Sequence, residues 1–128
     1  MTGELRIILV VEDDAPLRAM YRTALRMAGF YVNEASNGLE ALRALDADPP
    51  DLVVLDLGLP IVSGYAVRTE LAAQSHLRQI PVVVVTGNEP DAPLDVSCLL
   101  RKPVTGDDLV VAVNKCLAEG KSAAHGVS

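Results

Sequence analysis

The stretch VVLDLGLP, residues 53–60, carries an aspartate in the middle of an aliphatic run. Such a run is typical of a strand that is buried on both faces of a parallel sheet. A charged carboxylate is costly there unless it is paired or bound to a metal ion. The alternative is that Asp56 only caps the end of a strand and points into solvent. The two interpretations differ in what surrounds Asp56, so the other strand ends decide between them.

The composition indicates one domain with an aliphatic core. The chain has 128 residues, and half of them are apolar. Aromatic residues are scarce, with three Tyr, one Phe and no Trp. A core of Val, Leu, Ile and Ala favours strands that are covered by helices on both faces.

The charge and the cysteines exclude several classes of protein. The net charge of −6 disfavours direct binding of nucleic acid and suits a cation or a basic protein surface instead. Cys98 and Cys116 have no metal-binding spacing and sit in apolar segments, as buried thiols do. No segment has the features of a signal peptide or a membrane span. We therefore expect a soluble cytoplasmic protein without a membrane partner.

Strand-like and helix-like segments alternate along the whole chain. Strands are predicted at Arg6–Val11, Tyr31–Ala35, Asp51–Leu57, Ile80–Thr86 and Val96–Leu100. Helices are predicted at Ala15–Ala28, Leu39–Leu45, Tyr65–Gln74 and Thr105–Leu117. This alternation predicts an α/β fold, a doubly wound five-stranded parallel sheet with right-handed crossovers.

Local signals mark several helix ends. Asp14 is placed to cap the start of the first helix, and Gly29 lies just after its end, where glycine is favoured. Ser36 or Asn37 opens the second helix. Thr105 with Asp108 resembles a capping box at the start of the last helix.

Polar side chains cluster where the predicted strands end. Glu12 and Asp13 follow the first strand, Asp56 lies near the end of the third, Thr86 ends the fourth, and Lys102 follows the fifth. Parallel strands bring these ends to one edge of the sheet, where ligands bind. At about 4 Å and an effective dielectric near 20, each pair of carboxylates costs about 4 kcal/mol. One lysine offsets too little of this repulsion, so we expect a divalent cation with oxygen ligands, Mg²⁺.

Four motifs resemble the receiver domain of two-component response regulators. They are VVEDD, DLVVLDLGLPIVSG, PVVVVTG and LLRKP, in the order and on the elements that the family uses. The resemblance runs from about Arg6 to Leu117. It implies a flavodoxin-like fold with the receiver domain at residues 1–120. The residues after Gly120, KSAAHGVS, are small and polar, so we expect a disordered tail at residues 121–128.

The resemblance also implies a role for each residue of the cluster. Asp56 is similar to the phosphoacceptor, which takes a phosphoryl group from a phosphohistidine. Asp13, Asp56 and the backbone carbonyl of Gly58 are then ligands of Mg²⁺, and Glu12 binds the ion through water. Lys102 pairs with phosphoryl oxygens, and Thr86 donates its hydroxyl to one of them.

The turn after the fifth strand is also similar to the family pattern. The family has a cis peptide bond after its lysine, which here implies a cis bond between Lys102 and Pro103.

Two features depart from the family pattern. The position three residues before the lysine is aromatic in most receivers and is Leu99 here, so the standard output coupling is in question. The segment from Thr86 to Lys102 is also short for a strand, helix and strand, and it contains Pro90 and Pro93. We therefore predict that the fourth helix of the family is missing or reduced to one turn.

The sequence thus predicts a phosphoacceptor receiver domain that works as a signalling switch and is not an enzyme. Its predicted partners are a histidine kinase or phosphotransfer protein and an output protein or fused output domain. The main alternative is a pseudo-receiver that docks partners without phosphorylation. A phosphatase-like hydrolase would need a second aspartate where Gly58 stands. A flavin-binding module would need more aromatics and a phosphate-binding loop that is less acidic than EDDAPLR.

Overall fold

Five parallel strands form one sheet in the order β2-β1-β3-β4-β5. The computed structural model describes residues 5–59, 63–87 and 98–126. The strands are β1 (Ile7–Val11), β2 (Tyr31–Ala35), β3 (Leu52–Asp56), β4 (Val82–Thr86) and β5 (Cys98–Arg101). The helices are α1 (Ala15–Met27), α2 (Gly38–Ala47), α3 (Gly64–Ala73) and α4 (Gly106–Gly126). The predicted α/β fold is confirmed, and the strand order changes direction between β1 and β3.

Each face of the sheet carries its own hydrophobic core. Alternate residues of β1 point to opposite faces, as the pleat of a strand requires. Ile8 and Val10 pack in the core that contains residues of α1 and α4. Leu9 and Val11 pack in the core that contains residues of α2 and α3. Strands buried on both faces explain why the aliphatic runs are continuous rather than alternating.

The helix starts follow the local signals. The Asp14 carboxylate accepts a hydrogen bond from the Leu17 amide at 2.9 Å and caps α1. Asn37, rather than Ser36, caps α2 by accepting from the Glu40 amide at 2.9 Å. Gly29, after the end of α1, has a φ of 99°, a conformation that favours glycine.

The capping box at the start of α4 is also present. The Asp108 amide donates to Thr105 Oγ1 at 3.0 Å, and the Thr105 amide donates to Asp108 Oδ2 at 3.4 Å. Both bonds satisfy amides that lack a partner within the helix.

Most boundaries differ from the sequence prediction by one or two residues, and the largest difference is at the end of α4. The fifth strand is described from Cys98 to Arg101, and its predicted first two residues lie outside the described residues. The last helix, α4, continues to Gly126 instead of ending near Leu117. The helix therefore extends into the residues assigned to a disordered tail, and the boundary at residue 120 stays a prediction. The predicted shortening of the fourth helix of the family concerns residues 88–97, which lie outside the described residues.

The sequence predicted neither a disulfide bond nor a membrane-spanning helix. Cys98 and Cys116, which are both in the described part of the chain, form no disulfide. Of the four helices in the described ranges, none has the length and apolar character needed to span a bilayer.

Candidate functional site

The polar residues at the strand ends meet at one edge of the sheet. Glu12 and Asp13 directly follow β1, Asp56 is the last residue of β3, and Thr86 is the last residue of β4. The Lys102 amide donates to the Thr86 carbonyl at 2.8 Å, which carries the backbone after β5 to the same edge. Parallel pairing of β1 with β3, of β3 with β4 and of β4 with β5 therefore brings all five residues together.

Three carboxylates form the centre of the site. One oxygen from each of Glu12, Asp13 and Asp56 lies within 4.8 Å of the other two. The Glu12 and Asp56 residues are only 1% and 6% exposed, whereas Asp13 is exposed. The cluster is thus buried on its inner side and open to solvent at Asp13.

Lys102 supplies the positive charge of the cluster. Its Nζ lies 3.1 Å from Glu12 Oε1 and 3.4 Å from Asp56 Oδ2, so one ammonium is shared by two buried carboxylates. With all groups ionised, three carboxylates and one ammonium leave a net charge of −2. The sequence argument that one lysine is too little therefore holds in the structure.

The local environment changes the pKa values of both partners. Burial raises the pKa of Glu12 from 4.5 to about 7, against the lowering effect of the Asp14 amide, and the charge of Asp56 adds to the rise. Burial alone would lower the pKa of Lys102, but the close contact with Glu12 and the charges of Asp56 and Glu12 together raise it. The lysine therefore stays protonated, while Glu12 holds a proton more readily than an exposed glutamate.

The site fits a hard divalent cation. Its candidate ligands are carboxylate oxygens, which are the donors that Mg²⁺ prefers, and their spacing allows more than one of them to reach the same ion. Their excess negative charge also favours a cation over a further anion. Glu12, Asp13 and Asp56 are the residues that would hold it.

Backbone groups from two segments lie close to Asp56. The Gly58 amide donates to Asp56 Oδ1 at 2.9 Å. Gly64, at the start of α3, lies so close that a Cβ there would overlap the backbone oxygen of Asp56 and the Cα of Leu57. Glycine at this position therefore permits the close approach of two backbone segments.

The remaining predicted features lie on β4, on β5 and in the turn after β5. Thr86 is 6% exposed at the end of β4, beside the acidic residues. Leu99, the position without the usual aromatic residue, lies on β5 and is 42% exposed. The peptide bond between Lys102 and Pro103 is cis, as the resemblance implied.

The sequence analysis missed two residues near the site. Arg18 Nη1 donates to the Glu12 carbonyl at 2.8 Å, and Arg18 Nε also lies 3.3 Å from Glu34 Oε1. The Tyr21 hydroxyl is buried on the side of the sheet that Glu12 faces. For both Arg18 and Tyr21, the only signal in the sequence was a polar or charged residue on the inward side of α1.

Comparison with protein families gives one strong match. A family model described as the response regulator receiver domain matches residues 8–114. Transcriptional regulatory protein PrrA of Mycobacterium tuberculosis is 39% identical over 79 residues, which is 62% of this chain and 33% of PrrA. A probable transcriptional regulator, ycf27 of Pyropia yezoensis, is 40% identical over 86 residues, which is 67% of this chain and 34% of that protein. The chain thus spans about a third of the length of these curated relatives.

Solved structures with the same fold cover nearly the whole chain. A putative response regulator from Chloroflexus aurantiacus has a TM-score of 0.83 at 26% identity, with 90% of this chain and 99% of that chain covered. The chemotaxis response regulator CheY4 of Vibrio cholerae has a TM-score of 0.81 at 22% identity, with 88% of this chain and 99% of that chain covered. At 22% identity, the similarity to CheY4 is a similarity of fold alone.

Proposed function

The chain belongs to the response regulator receiver domain family, and from this premise we propose that it accepts a phosphoryl group on Asp56. The donor is a phosphohistidine of a histidine kinase or phosphotransfer protein. The observation that carries the proposal is the convergence of three carboxylates and one shared ammonium around the last residue of β3.

The transfer step needs little covalent chemistry from the protein. An Asp56 oxygen attacks phosphorus, the P–O bond forms as the P–N bond to the donor imidazole breaks, and the released imidazole takes up a proton. Such transfer depends mainly on alignment and on charge neutralisation. Mg²⁺, held by Asp13, Asp56 and the Gly58 carbonyl and through water by Glu12, supplies much of that neutralisation when bound.

Lys102 and Thr86 hold the transferred group. Lys102 already lies 3.4 Å from an Asp56 oxygen, which supports a role in pairing with a phosphoryl oxygen. Thr86 ends the strand next to β3, and its hydroxyl is of the type that donates to such an oxygen. The added phosphoryl carries nearly two negative charges, so both contacts strengthen when Asp56 is modified.

The biological role follows from the same chemistry. We propose a cytoplasmic signalling switch without an enzymatic activity of its own, whose change of charge alters the binding of a partner. The matched curated relatives are named as transcriptional regulators and are about three times as long as the matched segment. An output domain in the same protein, or a separate output protein, is therefore part of the proposal, and no direct contact with nucleic acid is assigned to this domain.

Phosphorylation by a small donor tests the proposal. The chain is incubated with Mg²⁺ and acetyl phosphate, and its intact mass is measured. We expect a gain of one phosphoryl group that is lost in Asp56→Asn. Asp14→Asn is the matched control, because Asp14 caps α1 and an asparagine keeps the cap. Absence of any gain in the wild-type chain would favour a docking module that works without phosphorylation.

A further inference from the structure

Tyr21 is a buried tyrosine whose hydroxyl has no partner. It lies on α1 and is 1% exposed. Within the described ranges, no group forms a hydrogen bond with its hydroxyl. A buried hydroxyl without a partner is unfavourable by about 1–3 kcal/mol, and a phenylalanine would fill the same space without that penalty.

Tyr21 and Glu12 lie on the same side of the sheet. Ile8 and Val10 of β1 point into the core that contains Tyr21, and the alternation along the strand continues this direction to Glu12. Burial raises the pKa of Tyr21, and the negative charge of Glu12 raises it further, which places the phenol in the field of that carboxylate.

One oxygen of Glu12 is held only by the ion pair with Lys102. Glu12 Oε2 accepts a hydrogen bond from the Asp14 amide at 3.1 Å. Glu12 Oε1 is 3.1 Å from Lys102 Nζ, but the two are not aligned as a hydrogen bond, and this oxygen has no other partner among the described residues. Because Glu12 is 1% exposed, movement of Lys102 leaves this oxygen in a buried environment.

Phosphorylation of Asp56 creates that situation. Lys102 Nζ is shared between Glu12 and Asp56, and a phosphoryl group brings nearly two negative charges to Asp56. The ammonium is then drawn toward the phosphoryl oxygens and away from Glu12. A buried carboxylate oxygen is left without the Lys102 ammonium, on the face of the sheet where the buried Tyr21 hydroxyl has no acceptor among the described residues.

We propose that Tyr21 is a positioning residue that acts through Glu12, donating its hydroxyl to Glu12 Oε1 when Lys102 turns to the phosphoryl group. The inference rests on the proposed phosphorylation of Asp56. The hydroxyl is unpaired before phosphorylation and paired after it, so it favours the phosphorylated state. It also fixes the orientation of the Glu12 carboxylate, which is one of the groups that would hold Mg²⁺.

The test compares Tyr21→Phe with Tyr31→Phe, an exposed control. Binding of beryllofluoride, a mimic of the phosphoryl group, is measured by titration calorimetry in the presence of Mg²⁺. We expect affinity to fall about tenfold in Tyr21→Phe, as loss of a hydrogen bond to a charged group predicts, and to stay unchanged in Tyr31→Phe. The thermal midpoint of the unliganded Tyr21→Phe chain should equal or exceed that of the wild type.

Near-UV absorbance distinguishes a positioning role of Tyr21 from a role in packing alone. The chain has three tyrosines and no tryptophan, so its near-UV band reports tyrosine alone. Beryllofluoride should shift this band to longer wavelength in the wild type and in Tyr31→Phe. The shift should be absent in Tyr21→Phe and in Glu12→Gln, which keeps the tyrosine but weakens its acceptor.

The outcomes distinguish this inference from the proposed function. If the wild-type chain takes no phosphoryl group from acetyl phosphate, the proposed function is wrong, and the inference falls with it. If the wild type is phosphorylated but Tyr21→Phe matches it in beryllofluoride affinity and the band does not shift, the role of Tyr21 alone is overturned.

Discussion

Asp56 occupies a buried strand end because several groups share its charge. All five residues of β3 are buried, and Asp56 is the last of them. The Gly58 amide binds one carboxylate oxygen at 2.9 Å, and Lys102 Nζ lies 3.4 Å from the other. A charge that is paired and hydrogen-bonded in this way is tolerated in a core, whereas an unpaired one is not.

Glu12 should make stability depend on pH in the absence of metal. Its folded pKa of about 7 lies above the ordinary value of 4.5, so the folded protein holds a proton that the unfolded chain releases between these values. Binding of this proton stabilises the folded state. The stabilisation is complete below pH 4.5 and is lost as the pH rises through about 7. The loss is at most about 3 kcal/mol.

Urea unfolding in EDTA at the two ends of this pH range measures the effect. Glu12→Gln is the control, because its neutral amide should remove most of the difference between the two pH values. A wild-type pH dependence that is identical to that of Glu12→Gln would contradict the raised pKa of Glu12.

At the scale of elements, the entry to α3 is constrained by backbone contact. Ser63 caps α3, with its Oγ accepting from the Ala66 amide at 3.2 Å, and the Gly64 amide donates to the Leu57 carbonyl at 3.3 Å. The first turn of the helix therefore rests directly on the segment that carries Asp56. Any side chain at Gly64 would push these two backbone segments apart.

Gly64→Ala should destabilise the protein by about 2–3 kcal/mol, because its Cβ overlaps backbone atoms that cannot rotate away. Chemical denaturation measures the change. Gly87→Ala is the matched control, since a Cβ at Gly87 meets no atom of the described residues within 4 Å and should have little effect. Equal stability of the two variants would show that the close approach at Gly64 is relaxed without cost.

At the scale of the whole molecule, the fold collects negative charge at one edge. The chain carries a net charge of −6, and the cluster of Glu12, Asp13 and Asp56 adds local repulsion that Lys102 only partly offsets. A cation that binds this cluster in the folded state and not in the unfolded chain must stabilise the fold.

Mg²⁺ at about one hundred times its dissociation constant should stabilise the wild-type protein by about 2.7 kcal/mol. Asp13→Ala should lose most of this stabilisation, because the exposed carboxylate at the open side of the cluster is removed. Thermal unfolding with and without Mg²⁺ measures the effect, and Ca²⁺-free buffer excludes a competing ion. An equal Mg²⁺ response in both proteins would remove Asp13 from the ligands.

Several features of the fold were predictable because their causes are local in the sequence. The aliphatic runs around β1, β3 and β4 indicated a parallel sheet, since only strands covered on both faces are apolar throughout. Asp14 and Thr105 were identified as caps because each hydrogen bond spans only three residues. The strand ends also predicted which polar residues would meet.

Short-range patterns were therefore enough to predict the alternation of elements, the helix caps and the residues of the acidic edge. Three contacts became apparent only from the folded chain: Lys102 is shared by Glu12 and Asp56, Gly64 rests on the backbone of Asp56, and Tyr21 is buried on the side of the sheet that Glu12 faces. The physical reason is that these contacts join segments from different strands and helices. Their distances follow from strand register and from how the helices pack on the sheet, neither of which is written in any one stretch of the chain.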